Sequence, residues 1–181
     1  MLRIYFCCAL AVSFASCNRT SYKAEIQTID SLLVELDSAK AIFNRIDTSG
    51  FADLNRSMGT KTSYISGQYS QKGDTIGRDL AFLLSNYRDM RKPLKNHKVA
   101  FDEVAKELQF SREQLLNLRN DLENNLQDTI RVRKFMQQEV EAASEVIARP
   151  AVLAAGAERT RSNQAIYEPK IDSVIAVLKG Q

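Results

Sequence analysis

Residues 76–108 read IGRDLAFLLSNYRDMRKPLKNHKVAFDEVAKEL, and this stretch decides the fold. Apolar side chains recur along it at alternating steps of four and three residues. Because an α-helix completes a turn in about 3.6 residues, this spacing places them on one face. The stretch therefore predicts an amphipathic helix that must bury its stripe against other helices. The stripe consists of Ile76, Leu80, Leu83, Tyr87, Met90, Leu94, His97, Phe101, Val104 and Leu108.

Pro93 lies inside this stretch. Proline lacks a backbone N–H and clashes with the preceding turn, which costs about 3 kcal/mol in a helix interior. We therefore expect a kink or a short break at Pro93. The alternative is a loop over residues 92–98, in which case the stripe would be partly coincidental.

A second stripe precedes the first. It predicts a helix from Ile26 to about residue 70. Between Phe43 and Phe51 the spacing of the apolar residues shifts by four positions, which would locally relax any supercoiling. We expect a turn at residues 71–75, with Asp74 or Thr75 capping the next helix. The stripe consists of Ile26, Ile29, Leu33, Leu36, Phe43, Phe51, Leu54, Met58 and Ile65.

Two signals disagree after residue 108. Ser111 and Gln114 form a capping-box pattern, which predicts a new helix, whereas the apolar stripe continues without a gap to Leu122. We favour a turn at residues 109–110, because a compact bundle buries more than a lone rod. The third helix would then run to about residue 148, where Pro150 marks its end or a kink. A helical stretch over 151–166 would follow, and Pro169 would open a last helix.

The composition suits one folded helical domain. The chain has 181 residues, 44% of them hydrophobic and 26% charged, with three prolines. Its formal net charge of +3 requires no nucleic-acid partner. We expect an all-α fold, namely an elongated antiparallel bundle of three to four helices with coiled-coil-like seams.

The N-terminus has the pattern of an export signal. Arg3 precedes an apolar run from Ile4 to Phe14, which is too short to span a bilayer. The Phe14-Ala15-Ser16-Cys17 sequence that follows resembles the lipobox of bacterial lipoproteins, although that family usually has an aliphatic residue where Phe14 stands. The resemblance implies that Cys17 receives a lipid and becomes the first residue of the mature protein. Ordinary cleavage after Ala15 and an uncleaved anchor are the alternatives.

This resemblance sets the expected domain organisation. Residues 1–16 would be a signal peptide, residues 17–22 a lipidated tether and residues 23–181 the helical bundle. The lipid would anchor the chain to a membrane of the bacterial cell envelope, facing the periplasm, with the outer membrane favoured over the inner. The remaining cysteines, Cys7 and Cys8, would leave with the signal peptide, so the mature domain would have no disulfide.

The sequence contains no catalytic motif. It lacks a phosphate-binding glycine loop, HExxH and CxxC. His97 is the only histidine, and we expect it to face the helix seam, because a zinc site would need further ligands. Glu139, Glu141 and Glu145 are expected on a solvated helix face. We therefore expect no enzyme activity, no cofactor and no metal.

A basic cluster could contact an acidic partner or phosphate-bearing headgroups. Surface solvation is the alternative interpretation. The cluster consists of Arg88, Arg91, Lys92, Lys95 and Lys98.

A short pattern recurs five times: Asp, then Ser or Thr, then an aliphatic residue. It resembles the acceptor sequence of a periplasmic O-glycosylation system of some bacteria. Helix capping and helix-surface chemistry are the alternative explanation. The acceptors that the resemblance implies are Ser31, Ser38, Thr75, Thr129 and Ser173.

These observations favour a lipid-anchored envelope protein that acts as a structural or protein-interaction module. A periplasmic holdase-type chaperone is the alternative. The partners of the lipid-anchored protein would be a membrane, through the lipid, and an envelope protein. Self-association into an oligomer is a further possibility.

Overall fold

The structure, a computed structural model, describes residues 22–126 and 129–180. These residues fold into α-helices joined by short turns, which confirms the all-α prediction. The helices are α1 (Lys23–Asn44), α2 (Phe51–Lys72), α3 (Arg78–Asp89), α4 (Arg91–Glu123) and α5 (Thr129–Lys179).

The helices form three rods, and the second runs antiparallel to the first and the third. The first rod is α1 followed by α2, the second is α3 followed by α4, and the third is α5 alone. Asp30 pairs with Arg119 at 2.8 Å and Asp37 with Arg112 at 3.4 Å, so α1 and α4 run in opposite directions. The 51 residues of α5 correspond to a rod of about 77 Å.

Contacts with α5 show that α1 and α2 run in one direction. Ile42 near the end of α1 lines one opening with Ala154 of α5. The loop residue Asp47 contacts Arg161, and Lys61 of α2 contacts Asp172 further along. Residue numbers therefore rise together on the first and third rods. The predicted continuation of the second stripe past residue 50 is confirmed in direction, although the helix itself is interrupted.

Two apolar cores follow one another along the rods. The first core lies between α1, the later part of α4 and the first half of α5, and the second lies between α2, α3, the start of α4 and the end of α5. Fully buried side chains include Ile29 and Leu115 in the first core and Met58 and Ile171 in the second. The cores meet where the first rod is broken.

The predicted single helix over residues 26–70 is wrong at residues 45–50. The Asp47 carboxylate accepts a hydrogen bond from the Ser49 N–H at 2.8 Å, which forms an Asx turn. Gly50 follows with φ 77°, a left-handed conformation that glycine adopts without strain. The Asp-Thr-Ser-Gly sequence therefore ends one helix and sets the start of the next.

The predicted turn at residues 109–110 is also wrong, because α4 is continuous from Arg91 to Glu123. Ser111 is buried in its interior, and Leu115, Leu118 and Leu122 extend the buried face. Continuous burial of this stripe outweighs the local capping signal. The chain turns instead after Glu123, where Asn125 has φ 52°.

Both C-terminal prolines lie inside α5, so Pro150 does not end a helix and Pro169 does not begin one. Each removes one hydrogen bond from the helix. Pro150 is fully buried, so its ring is part of the packing between the rods. Tertiary packing therefore outweighs the tendency of proline to interrupt a helix, on which the predicted helix ends at Pro150 and Pro169 were based.

The short break expected at Pro93 occurs close to it, but three residues earlier, at Met90. α3 ends at Asp89 and α4 begins at Arg91, with Met90 between them. This places Pro93 in the first turn of α4, where backbone N–H groups have no partner within the helix, so the missing donor costs little. Residues 92–98 are helical, which excludes the loop alternative.

The turn expected at residues 71–75 is confirmed in position. α2 ends at Lys72, and Gly73 has φ 68°. The expected cap is wrong, because α3 begins after Gly77 and neither Asp74 nor Thr75 caps it.

Candidate functional site

An open cleft lies where the two cores meet. It has a volume of about 400 Å³ and runs between the first turns of α4 and the middle of α5, with the start of α2 beneath it. We call it the junction cleft. Its walls are Lys92, Pro93, Leu94, Asn96, His97, Ala100 and Phe101 from α4, and Val152, Leu153, Gly156, Ala157 and Thr160 from α5, with Phe51 from α2.

Phe51 forms a fixed floor for the junction cleft. Phe51 is 5% exposed, and its ring stands edge-on to the His97 ring, with 5.6 Å between centroids. The Arg161 guanidinium lies 5.7 Å from the same ring centroid, and Arg161 also donates to the Asp47 carbonyl oxygen at 2.8 Å. These contacts hold the floor between the broken first rod and α5.

His97 lies half-buried beside the cleft, at its predicted seam position. Its Nδ1 lies 2.6 Å from the Leu94 carbonyl oxygen. Since a carbonyl can only accept, Nδ1 carries a proton in this contact. No carboxylate lines the cleft, and no group of three potential metal ligands occurs in the described ranges. The cleft therefore has the composition of an apolar binding surface.

Four members of the basic cluster gather next to the junction cleft. Arg88, Arg91, Lys92 and Lys95 line a depression of about 340 Å³ together with Asn55 and Asp89. Lys92 lines both the depression and the cleft, so the two surfaces are continuous. We call these four residues the basic rim.

Few carboxylates pair with the positive charges of the basic rim. Lys92 pairs with Asp89 at 2.9 Å, and Arg91 donates to the neutral amide oxygen of Asn55 at 3.1 Å. Arg88 and Lys95 form no ion pair with any described residue. The rim therefore presents four cations against one carboxylate.

Lys98, the fifth member of the cluster, does not join the rim. It pairs with Asp102 at 2.8 Å one turn along α4. The hydrogen bond from Lys98 is the main cause that lowers the pKa of Asp102. This pair is an exposed i,i+4 contact, which contributes little to stability.

A polar cluster that no sequence pattern predicted lies beside the apolar side chains of the second core. Lys61 of α2 binds Glu168 and, at 2.6 Å, Asp172, both on α5. The fully buried Tyr87 donates its hydroxyl to Glu168. The members lie 81 and 107 residues apart in sequence, so no local motif announces them.

The polar cluster shifts the pKa values of two of its side chains, Tyr87 and Lys61. Burial raises the pKa of the Tyr87 hydroxyl, and its hydrogen bond to Glu168 raises it further. Partial burial lowers the pKa of the Lys61 ammonium, but hydrogen bonds to Asp172 and Glu168 outweigh this, so that pKa is raised overall. No buried side-chain polar atom of the described residues lacks a hydrogen-bond partner, and the cluster ties α2, α3 and α5 together.

The glutamates considered on α5 fall in different settings. Glu139 and Glu145 line an opening of about 340 Å³ with Glu107, and Arg149 binds Glu107 there. Glu141 is exposed.

The candidate glycosylation residues lie on the surface wherever the structure describes them. Ser31, Ser38 and Ser173 are exposed on helices, and each hydroxyl donates to the carbonyl four residues earlier. Thr75 is exposed in the loop between α2 and α3. The side chain of Thr129 lies outside the described part.

Cys17 and the whole lipobox-like sequence lie outside the described residues. Within residues 22–126 and 129–180, no helix combines the length and the hydropathy needed to cross a bilayer.

No protein-family model, curated protein or solved structure matches the chain.

Proposed function

We propose that this chain is a lipid-anchored helical protein of the bacterial envelope that acts as a structural or protein-interaction module, without catalytic activity. The lipobox-like sequence at residues 14–17 supports the anchor and a location facing the periplasm, with the outer membrane favoured over the inner. The domain that follows would present its helical surface to an envelope protein.

The junction cleft is the observation that carries the interaction role. A bundle of this kind can close its core with apolar side chains, yet here an apolar trough stays open between α4 and α5. Val152 on its edge is 70% exposed. Contiguous apolar surface with a polar border is typical of protein-binding sites.

Co-purification tests this role. The tagged full-length protein would be isolated from detergent-solubilised envelopes of its native cells and analysed by size-exclusion chromatography with light scattering. We expect a second protein in a fixed molar ratio. A monodisperse monomer, recovered at high yield without any companion, would contradict the proposal.

A holdase-type chaperone is the second candidate. Large apolar side chains outside the cleft favour it, because such surface could hold unfolded chains: Phe82 is 69% exposed, Phe110 63% and Ile130 85%. The purified domain should then suppress aggregation of a urea-diluted outer-membrane protein at equimolar concentration. Light scattering identical to that of the protein-free sample would eliminate this candidate.

A further inference from the structure

We infer that the junction cleft and the basic rim together bind an acidic amphipathic helix of a partner protein. This inference rests on the proposed interaction role and names the chemistry of the partner. It stands on one juxtaposition, an apolar trough that continues directly into a cationic border through Lys92.

The shape of the trough fits the side of a helix. Its walls cover residues 92–101 of α4 and 152–160 of α5, a length of about 12–14 Å or somewhat more than two turns. A helix is about 10–12 Å wide with its side chains, too wide to enter a trough of about 400 Å³. It can instead lie across the opening and insert apolar side chains at i, i+3 or i+4, and i+7, the usual mode of helix-in-groove recognition.

Small residues keep the trough open. Gly156 lies in its wall, and among the described residues no atom beyond its two chain neighbours and the nearby backbone of its own helix comes within 4 Å of the place where its Cβ would be. Ala157 and Ala100 continue the low surface on either side. The vacant space above Gly156 is where an inserted side chain would fit.

The charge of the border selects the partner. Arg88 and Lys95 lack a carboxylate partner within the described ranges, and only Asp89 opposes the rim's four cations. A helix with Glu or Asp beside its apolar stripe would complete these pairs, whereas a basic helix would be repelled.

The position of the cleft favours a protein over lipid headgroups. The cleft begins at Phe51, beyond the 22 residues of α1, which places it about 33 Å or more along the first rod. A bundle that extends from its tether would therefore hold the cleft beyond the headgroup layer of its own membrane.

Site-specific photo-crosslinking in the native cells tests the inference. A benzophenone amino acid would replace Val152 at the cleft edge in the full-length protein, and Val177, which is 61% exposed on the same helix outside the cleft, would serve as the control position. We expect irradiation to link position 152 to one protein. Mass spectrometry should map the linked segment to an amphipathic helix with acidic residues.

Two variants tie the product to the cleft and to the rim. Gly156→Leu should fill the trough and reduce the crosslink at position 152 at least about ten-fold, whereas Gly67→Leu, also in open space but on α2, should leave it unchanged. Arg88→Glu with Lys95→Glu should reduce it similarly, while the exposed Arg133→Glu with Arg159→Glu should not. Circular dichroism of each purified variant checks that the bundle is folded.

The outcomes separate this inference from the proposed function. A product at position 177 but none at 152 would overturn the cleft inference and leave the interaction role intact. Linkage of position 152 to lipid, or to a segment without acidic residues, would also overturn the cleft inference. Absence of protein products at both positions, together with a companion-free monomer in co-purification, would overturn both.

Discussion

At the residue scale, the polar cluster around Glu168 is the most demanding arrangement in the molecule. A buried tyrosine hydroxyl and a mostly buried lysine share one carboxylate, and Lys61 also reaches Asp172. Buried polar groups are tolerated when each has a partner and become costly once one partner is removed. Removal of the Glu168 carboxylate should therefore destabilise the second core, although Glu168 is a polar residue.

Glu168→Ala should destabilise the protein by about 1–3 kcal/mol, because it leaves the Tyr87 hydroxyl buried without an acceptor. Chemical denaturation with urea measures this change. Glu141→Ala, at an exposed position of the same helix, is the matched control and should change stability little. Adding Tyr87→Phe to Glu168→Ala should recover part of the loss, and a loss that grows instead would contradict the assigned hydrogen bond.

Alkaline pH should weaken the same cluster. The pKa values of Lys61 and Tyr87 are both raised in the folded state, so their contribution is complete below the unfolded values of about 10. It is lost as the pH rises through the folded values. We expect the melting temperature to fall above about pH 10, and to fall less in Tyr87→Phe. Equal slopes in parent and variant would refute this account.

At the element scale, the sequence predicted which residues face inward better than it predicted where helices end. The stripe from Leu80 to Leu108 and its extension to Leu122 lies on the packed face of the second rod. Helix ends are set by competition between local signals and packing. At Ser111 the capping pattern starts no helix, because burial of the continuous apolar stripe keeps α4 intact. At residues 47–50 the Asx turn and Gly50 do interrupt the helix.

The helix break at Gly50 can be tested with a pair of glycines. Gly50→Ala should destabilise the protein by about 1 kcal/mol, because a side chain is strained at φ 77°. Gly67→Ala should stabilise it by about 0.5–1 kcal/mol, because Gly67 is inside α2 and nothing crowds its Cβ position. Thermal unfolding reports both changes, and a stabilising Gly50→Ala would show that the first rod is not broken there.

The packing of α4 can be tested with neighbouring leucines. Leu118 is 8% exposed, whereas Leu116 is 38% exposed. Leu118→Asp should cost several kcal/mol and unfold the domain, because it buries an unpaired charge. Leu116→Asp should be tolerated. If circular dichroism shows equal melting for the two variants, the assignment of the buried face is wrong.

At the scale of the whole molecule, the fold class followed from helical periodicity, but the candidate site did not. The sequence identified the basic residues and the seam position of His97. It did not reveal the junction cleft, because the trough depends on Gly156 and Ala157 meeting Ala100 across two rods. The polar cluster was missed for the same reason, since its members meet only once three helices have packed.

The long bundle with a cleft part-way along it suits a protein tethered at one end. An acylated Cys17 would hold the start of the first rod near a membrane, and several acyl chains anchor a protein stably where one does not. The tether would leave the junction cleft accessible to partners in the surrounding compartment.

Intact-mass spectrometry of the protein purified from its native membranes tests the central claim of a lipid anchor most directly. We expect a chain that begins at Cys17 and carries the added mass of diacylglycerol, with or without a further acyl group on the new amino terminus. The Cys17→Ala variant should carry no lipid. A native chain with Met1 intact and an unmodified Cys17 would contradict the account.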